Sequence, residues 1–327
     1  MHQNYKGVIN ISARVGTVTI NPAMDRILTI KNFATKKHNR ASDLRIDIGG
    51  KGTHVAVAAK LLGVEAVATG VLAGPTGRTI AEMMARLGVT LDFVWVDGCD
   101  TRHVYILIEP KDLGNQTILS EPGFLLAPQV LAELEIKVRE MAMHCQVVSF
   151  AGNLPPGLDM DYFVHLLHIA KQAGTFVIVD VDGALQAKIK AKPDLVKPTF
   201  MALENAFNIK IKDEQDLLGA CRQLIANGVG AVFVSQGGEH AMLVTDDRSW
   251  RLAPPAVPVQ NTAGCGDATI GGIAAGICKS LPLLQAVRLG MAMGTHKATL
   301  MNTTASARMS EIDAIFERIT VRDLNPS

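Results

Sequence analysis

The chain has 327 residues, 48% of them hydrophobic and 19% charged, which fits a globular protein with a large core and excludes a mini-protein or a disordered chain. Lys and Arg number 32 against 31 Asp and Glu, a net charge of +1, so the basic field of a nucleic-acid-binding protein is absent. No uncharged apolar run of bilayer length occurs and no apolar signal core follows the opening Met-His-Gln-Asn-Tyr-Lys; a cytoplasmic protein without membrane contact is expected.

The first strand runs to about Thr19, and Thr19-Ile-Asn-Pro-Ala-Met-Asp25 follows it. Segments 26–30, 44–48, 91–96 and 103–108 alternate apolar with polar residues, which predicts a small sheet with one wet face. Helices expected over 53–62 and 76–87 interrupt it, so this sheet is discontinuous in sequence, inserted at about 24–48 and 90–120. It is expected to stand over the strand ends as a lid. From residue 146 the rhythm changes to buried strands and amphipathic helices: strand 146–150, helix 160–173, strand 175–180 ending in the Asp180 carboxylate, strand 195–197, helix 214–227 and strand 231–235. That alternation predicts a mostly parallel sheet covered by helices on both faces, with ligands beyond the carboxyl ends of its strands. Neither a repeat nor a Pro/Ser linker divides the chain, so residues 1–327 are read as one α/β domain.

Several machines are excluded. Lys51 is followed by Gly52, so there is no P-loop; Gly264-Cys-Gly266 lacks the third glycine of a dinucleotide fingerprint; and no Gly-x-Ser-x-Gly elbow occurs. His165 and His168 lack the spacing of a zinc-protease helix and read as helix-surface histidines. Cys99, Cys145, Cys221, Cys265 and Cys278 are odd in number and widely spaced, which argues against a disulfide framework.

Three clusters remain. In Asn261-Thr-Ala-Gly-Cys-Gly-Asp-Ala-Thr-Ile-Gly-Gly272, Gly264 and Gly266 permit close approach to an anion at a helix start. Asp267 is then either a base that takes a proton from a group attacking a phosphate, or a helix-start residue complementing the dipole. In Asp47-Ile-Gly-Gly-Lys-Gly-Thr-His54, Gly49, Gly50 and Lys51 suit contact with a phosphorylated ligand, or form a tight turn with a solvated lysine. Asp25 either holds sugar hydroxyls or caps the next segment.

Taken in order, Asn21-Pro-Ala-Met-Asp25, Gly49-Gly-Lys-Gly-x-x-Val-Ala56, Asp100-Thr-Arg102, Ala151-Gly-Asn-Leu-Pro-Pro-Gly157, Asp180, Lys197-Pro198, Val234-Ser-Gln-Gly237 and Gly264-Cys-Gly-Asp267 resemble the PfkB (ribokinase-like) carbohydrate kinases. The branch of 1-phosphofructokinase and tagatose-6-phosphate kinase is the most similar, over about residues 17–310. The resemblance implies a ribokinase-like three-layer αβα sandwich with a small β lid, and transfer of the ATP γ-phosphate to a hydroxyl of a phosphorylated ketohexose. It also implies Asp267 as catalytic base, Gly264, Cys265 and Gly266 as the anion hole, and Asp25, Gly49, Gly50, Lys51 and His54 at sugar-contacting positions. Arg102 would reach the substrate's own phosphate, and Lys197, Ser235 and Gly237 would face the nucleotide. Mg²⁺ would accompany ATP, its protein ligands unassigned, and a homodimer would form through the lid.

The match fails at several positions. His54 stands where the family has Asn, which predicts an altered sugar preference or a pH-dependent affinity. After Lys197-Pro198 the family pattern Asn-x-x-Glu is replaced by Thr199-Phe-Met-Ala202, with Glu204 out of register. Cys265 replaces Ala, a thiol near a helix start, where reactivity is expected, and His240 replaces Gly. A second reading therefore stays open: a catalytically impaired relative that binds sugar phosphate or nucleotide for regulation. A nucleoside or plain-sugar kinase is disfavoured, because Lys51 and Arg102 together suit a phosphorylated substrate.

Overall fold

A computed structural model describes residues 12–181 and 184–325; the N-terminal residues read above for a signal core lie outside these. The chain opens with β1 (Ser12–Thr19), then β2 (Ala23–Ile30), β3 (Ala41–Gly49), α1 (Lys51–Leu61), β4 (Glu65–Ala73) and α2 (Gly74–Arg86). The short strands β5 (Thr90–Leu91) and β6 (Val94–Val96) precede β7 (His103–Ile108) and β8 (Thr117–Ser120). There follow α3 (Pro128–His144), β9 (Cys145–Phe150), α4 (Met160–Gln172), β10 (Phe176–Val181), α5 (Leu185–Lys188), β11 (Leu195–Pro198), α6 (Phe200–Phe207) and α7 (Glu214–Ala226). The last part comprises β12 (Ala231–Gln236), β13 (His240–Thr245), β14 (Ser249–Ala253), α8 (Cys265–Cys278), α9 (Leu283–Ala298), α10 (Met309–Phe316) and β15 (Thr320–Asp323).

The large sheet has the order β15-β14-β13-β12-β11-β10-β9-β1-β4-β5, with β6 also on β4. Pairing is parallel from β12 across to β5 and antiparallel from β12 out to β15. The pleat alternation sorts its side chains into two cores. Val147 and Ile178 enter a cluster with α1, α8 and α9, while Val148, Val177 and Val179 enter a cluster with α3, α4 and α7. This is the expected α/β three-layer sandwich with a mostly parallel central sheet. β1 lies between β4 and β9, so the chain reverses its direction of progress across the sheet there. The crevice at such a switch point opens beyond the carboxyl ends of the strands.

The small sheet has the order β3-β2-β7-β8. Its membership corrects one expectation: residues 91–96 are not a lid strand. Thr90 and Leu91 pair parallel with Val67 and Ala68, and residues 94–96 with 71–73, because the segment after α2 returns to the sheet from which its crossover began. The fourth strand is β8, whose Thr-Ile-Leu-Ser has no alternation to reveal it. Arg102 clasps this sheet to the loop after β1: Nε and Nη2 donate to the Asn21 carbonyl at 3.3 and 3.1 Å, and Nη1 donates to Glu121 at 2.9 Å. Among the described residues no helix is long and apolar enough to cross a membrane.

Close contact of α8 with α9 positions the helix that carries Asp267. A methyl group added at Gly272 would come 2.6 Å from the Gly290 Cα, so the helices approach at a distance only glycine allows. Gly272→Ala is expected to destabilise the fold by about 1–3 kcal/mol through overpacking, measured as a lower urea midpoint with an unchanged denaturant slope.

Candidate active site

The segment 261–267 forms a tight turn into α8. Gly264 caps the helix with φ +81°, and a side chain there would collide with the Thr303 carbonyl; glycine is required on both counts. The Cys265 N–H donates to Thr262 O at 3.2 Å, and the first-turn amides with the helix dipole favour negative charge at this point. A methyl on Gly266 would lie 3.1 Å from Lys197 Nζ, so a cation sits beside the amides. The expected reactivity of Cys265 is not supported: burial pushes its thiol pKa above the ordinary value, although Lys297 opposes the shift.

Asp267, only 7% exposed, stands in the first turn of α8. Its Oδ2 accepts a 2.8 Å hydrogen bond from His54 Nδ1, and His54 Nε2 donates to the Ile48 carbonyl at 2.8 Å. A carbonyl and a carboxylate both only accept, so both ring nitrogens carry hydrogen and the ring is an imidazolium. Burial alone would lower its pKa; the hydrogen bond to Asp267 and the charges of Asp267, Asp25 and Asp47 outweigh this and raise it to about 9. His54, expected at a sugar-contacting position, thus has both nitrogens engaged by protein acceptors, behind the carboxylates it holds.

Asp25 lies inside β2 rather than in the turn before it. Its Oδ2 is 3.6 Å from His54 Nε2, and burial pushes its pKa up to about 6 against the pull of His54. Asp47, across from Asp25 in the β2–β3 register, accepts from the Thr304 N–H at 2.9 Å and its hydroxyl at 2.8 Å, which ties the small sheet to the chain after α9. Gly49 leaves room for the Asp25 carboxylate, and Gly50, with φ +98°, caps α1 against Pro22. Lys51 begins α1, two residues earlier than expected. Its Nζ donates to Asp180 Oδ2 at 2.6 Å while Lys197 Nζ lies 3.7 Å from Asp180 Oδ1. Burial would raise the Asp180 pKa, but Lys197, Lys51 and Lys188 together hold it below the usual carboxylate range.

On the far side of the 264–267 turn a cavity of about 510 Å³ opens. Lys197, Ser235, Gly237, Cys265 and Gly266 line it, with Pro254, Val257 and Met291 supplying apolar wall and His240 at its edge. A mostly apolar cleft with a lysine and a glycine turn at one end fits an adenine nucleotide with its phosphates toward the turn. Thr199 caps α6, accepting from the Ala202 N–H at 3.1 Å. Glu204 faces away, accepting from Ile211 N–H and Lys210 at 3.0 Å each. Among the described residues no group of three or more His, Cys, Asp or Glu side chains is arranged to hold a metal ion.

Of the residues singled out in the sequence, Asp25 and His54 gather at Asp267, Lys197, Ser235, Gly237, Cys265 and Gly266 line the cavity, and Arg102, at the small sheet's clasp, lies within the electrostatic reach of Asp25. The sequence assigns Asp180 no role, its one signal being a carboxylate at the end of a buried strand. The contacts of Asp47 and Lys297 had no sequence signal, since both partners come from distant segments. Because the folded-state pKa of His54 exceeds the ordinary 6.5, its contribution to stability is fully present below that pH and is lost as pH rises through about 9. Urea unfolding between pH 7 and about 9.5 is expected to show a falling midpoint in the parent and a flatter profile in His54→Asn.

The model of the pfkB family of carbohydrate kinases matches residues 15–309. The 1-phosphofructokinase of Rhodobacter capsulatus is 31% identical over 289 residues, covering 86% of this chain and 89% of that protein. The tagatose-6-phosphate kinase of Staphylococcus epidermidis is 27% identical over 309 residues, covering 93% and 98%. Phosphofructokinase-2 from Escherichia coli, solved in complex with substrates and products, superposes with a TM-score of 0.86 at 26% identity, covering 93% of this chain and 99% of that one. Because the family model spans most of the chain and a relative 31% identical to it is covered over 89% of its length, the chain belongs to the pfkB family of carbohydrate kinases.

Proposed function

We propose that the protein transfers the γ-phosphate of ATP to a hydroxyl of a phosphorylated ketohexose, as a kinase of the 1-phosphofructokinase or tagatose-6-phosphate kinase type. One observation carries this reading: the 264–267 turn borders the 510 Å³ cavity on one side and the Asp25, His54, Lys51 and Asp180 cluster on the other. Two ligand sites therefore meet at a single group of amides beside a single buried acid.

Asp267 takes the hydroxyl proton as the new oxygen–phosphorus bond forms and the bond to the β-phosphate oxygen breaks, releasing ADP. His54 holds Oδ2, so Oδ1 is the oxygen presented to the sugar. The amides at 264–267 and Lys197 stabilise the charge on the transferring group. Asp180 sets Lys51 and Lys197 on either side of the transfer point, and Lys51, its side chain 29% exposed, faces the acceptor's phosphate. Arg102 supports the same end through the Asn21 loop. Mg²⁺ would arrive on the nucleotide rather than on a carboxylate cluster among the described residues, and would supply neutralisation of phosphate charge. The small sheet acts as a lid that excludes water.

Leu44, Ile46 and Leu119 are about half exposed, and the register places them on one face of that sheet. We assign this face to a homodimer, and the five free thiols support a cytoplasmic location.

ADP release would be followed with Mg·ATP and fructose 1-phosphate, fructose 6-phosphate, tagatose 6-phosphate and unphosphorylated sugars. Turnover on a phosphorylated ketohexose is expected, falling by about 10²–10⁴ in Asp267→Asn with nucleotide binding kept. Tight binding without turnover on any sugar would instead favour a regulatory binder, the reading to which the absence of an acid at Ala202 points. By light scattering the parent is expected at twice the mass of Ile46→Glu; equal monomeric masses would remove the dimer.

A further inference from the structure

Lys297, near the end of α9, is 0% exposed, and the mechanism above does not use it. Its Nζ donates a 2.9 Å hydrogen bond to the carbonyl of Asn261, which opens the turn into α8 and is itself fully buried. Its stem passes beneath the turn, with Cε 3.5 Å from where a methyl on Gly264 would sit. The side chain of Asn261 fastens the same segment, donating to Met301 O at 2.7 Å and accepting from the Ala263 N–H at 2.9 Å. The ammonium therefore holds the Asn261 carbonyl, which also accepts from the Cys265 thiol at 3.8 Å and immediately precedes Thr262, whose own carbonyl accepts from the Cys265 N–H.

A Leu or Met would fill this space without the cost of dehydrating a charge. Burial draws the Lys297 pKa down, and the groups opposing this are Cys265, Asp47, Asp267 and Asp25. Two of these belong to the α8 turn and two to the small sheet, so this cation lies among the acids of the site.

We propose that Lys297 is an internal cation for phosphoryl transfer: a positioning residue whose ammonium fixes the Asn261 carbonyl, sets the geometry of the 264–266 amides and adds positive potential beneath them. The proposal rests on the reading of that turn as the anion hole. Lys297→Met keeps most of the volume and removes the charge. Lys297→Ala removes both and leaves a carbonyl-lined space that a small cation can enter.

The test measures kcat and KM for both variants in ammonium, potassium or tetramethylammonium chloride at equal ionic strength, with thermal unfolding as a check on folding. Lys297→Met is expected to lose about ten- to hundredfold in kcat, with KM for the sugar phosphate little changed. Lys297→Ala is expected to lose as much and to recover about tenfold in ammonium or potassium, but not in the bulky ion. The parent and Lys297→Met are expected to be indifferent to the cation. A parental kcat in Lys297→Met, or a folded Lys297→Ala that no cation restores, would overturn the proposal; if Lys297→Ala does not fold, the kcat of Lys297→Met decides. Should the parent turn over no sugar, the kinase reading fails separately. Lys297 is then judged by calorimetric Mg·ATP affinity, expected to weaken in Lys297→Ala and to return with ammonium, an unchanged affinity counting against it.

Discussion

The hydrogen bond from His54 to Asp267 joins three parts of the chain at one point. His54 belongs to α1 and Asp267 to α8, while the other ring nitrogen is bound to Ile48 at the end of β3. None of these groups tolerates loss of its partner, because an uncompensated buried charge costs several kcal/mol. The bond consequently fixes the Asp267 carboxylate relative to the large sheet and relates the small sheet to both. Around it, Asp25, Asp47 and Asp267 face His54, and Lys297 lies within the field of the same three acids. Buried charge of both signs is tolerated here because each group answers another.

The parallel sheet explains why these charges converge. β1 ends at Thr19, β10 carries Asp180 near its end and β11 carries Lys197, so the carboxyl ends of neighbouring strands deliver polar groups to one edge while their interiors stay apolar. The 2.6 Å contact from Lys51 to Asp180 and the 3.7 Å approach of Lys197 then join α1, β10 and β11 through a single carboxylate. A site assembled in this way depends on strand register, and substitutions that shift α8 against α9 should reach the chemistry without touching it.

The departures from the family pattern share a direction. An imidazolium at His54 stands where the resemblance implies a neutral amide, and Ala202 stands where it implies a carboxylate. Both changes make the site more positive.

Much of this was legible in the sequence. Periodicity revealed the buried strands 146–150, 175–180 and 231–235, since a strand covered on both faces reads as a short apolar run bounded by turns. The glycines at 49–50 and 264–266 marked where backbone must approach closely, and the order of the short motifs carried the family. Periodicity misplaced residues 91–96, because an alternating segment does not state which sheet it will join, and β8 had no pattern to find. Side-chain pairing was decided by tertiary structure alone. His54 and Asp267 are bonded although 213 residues separate them in sequence, and Lys297 meets the Asn261 carbonyl only because α9 packs against the turn of α8. Residue type and local spacing determine which chemistry a chain can supply; which charges face one another depends on contacts between segments far apart, and burial sets how strongly they act.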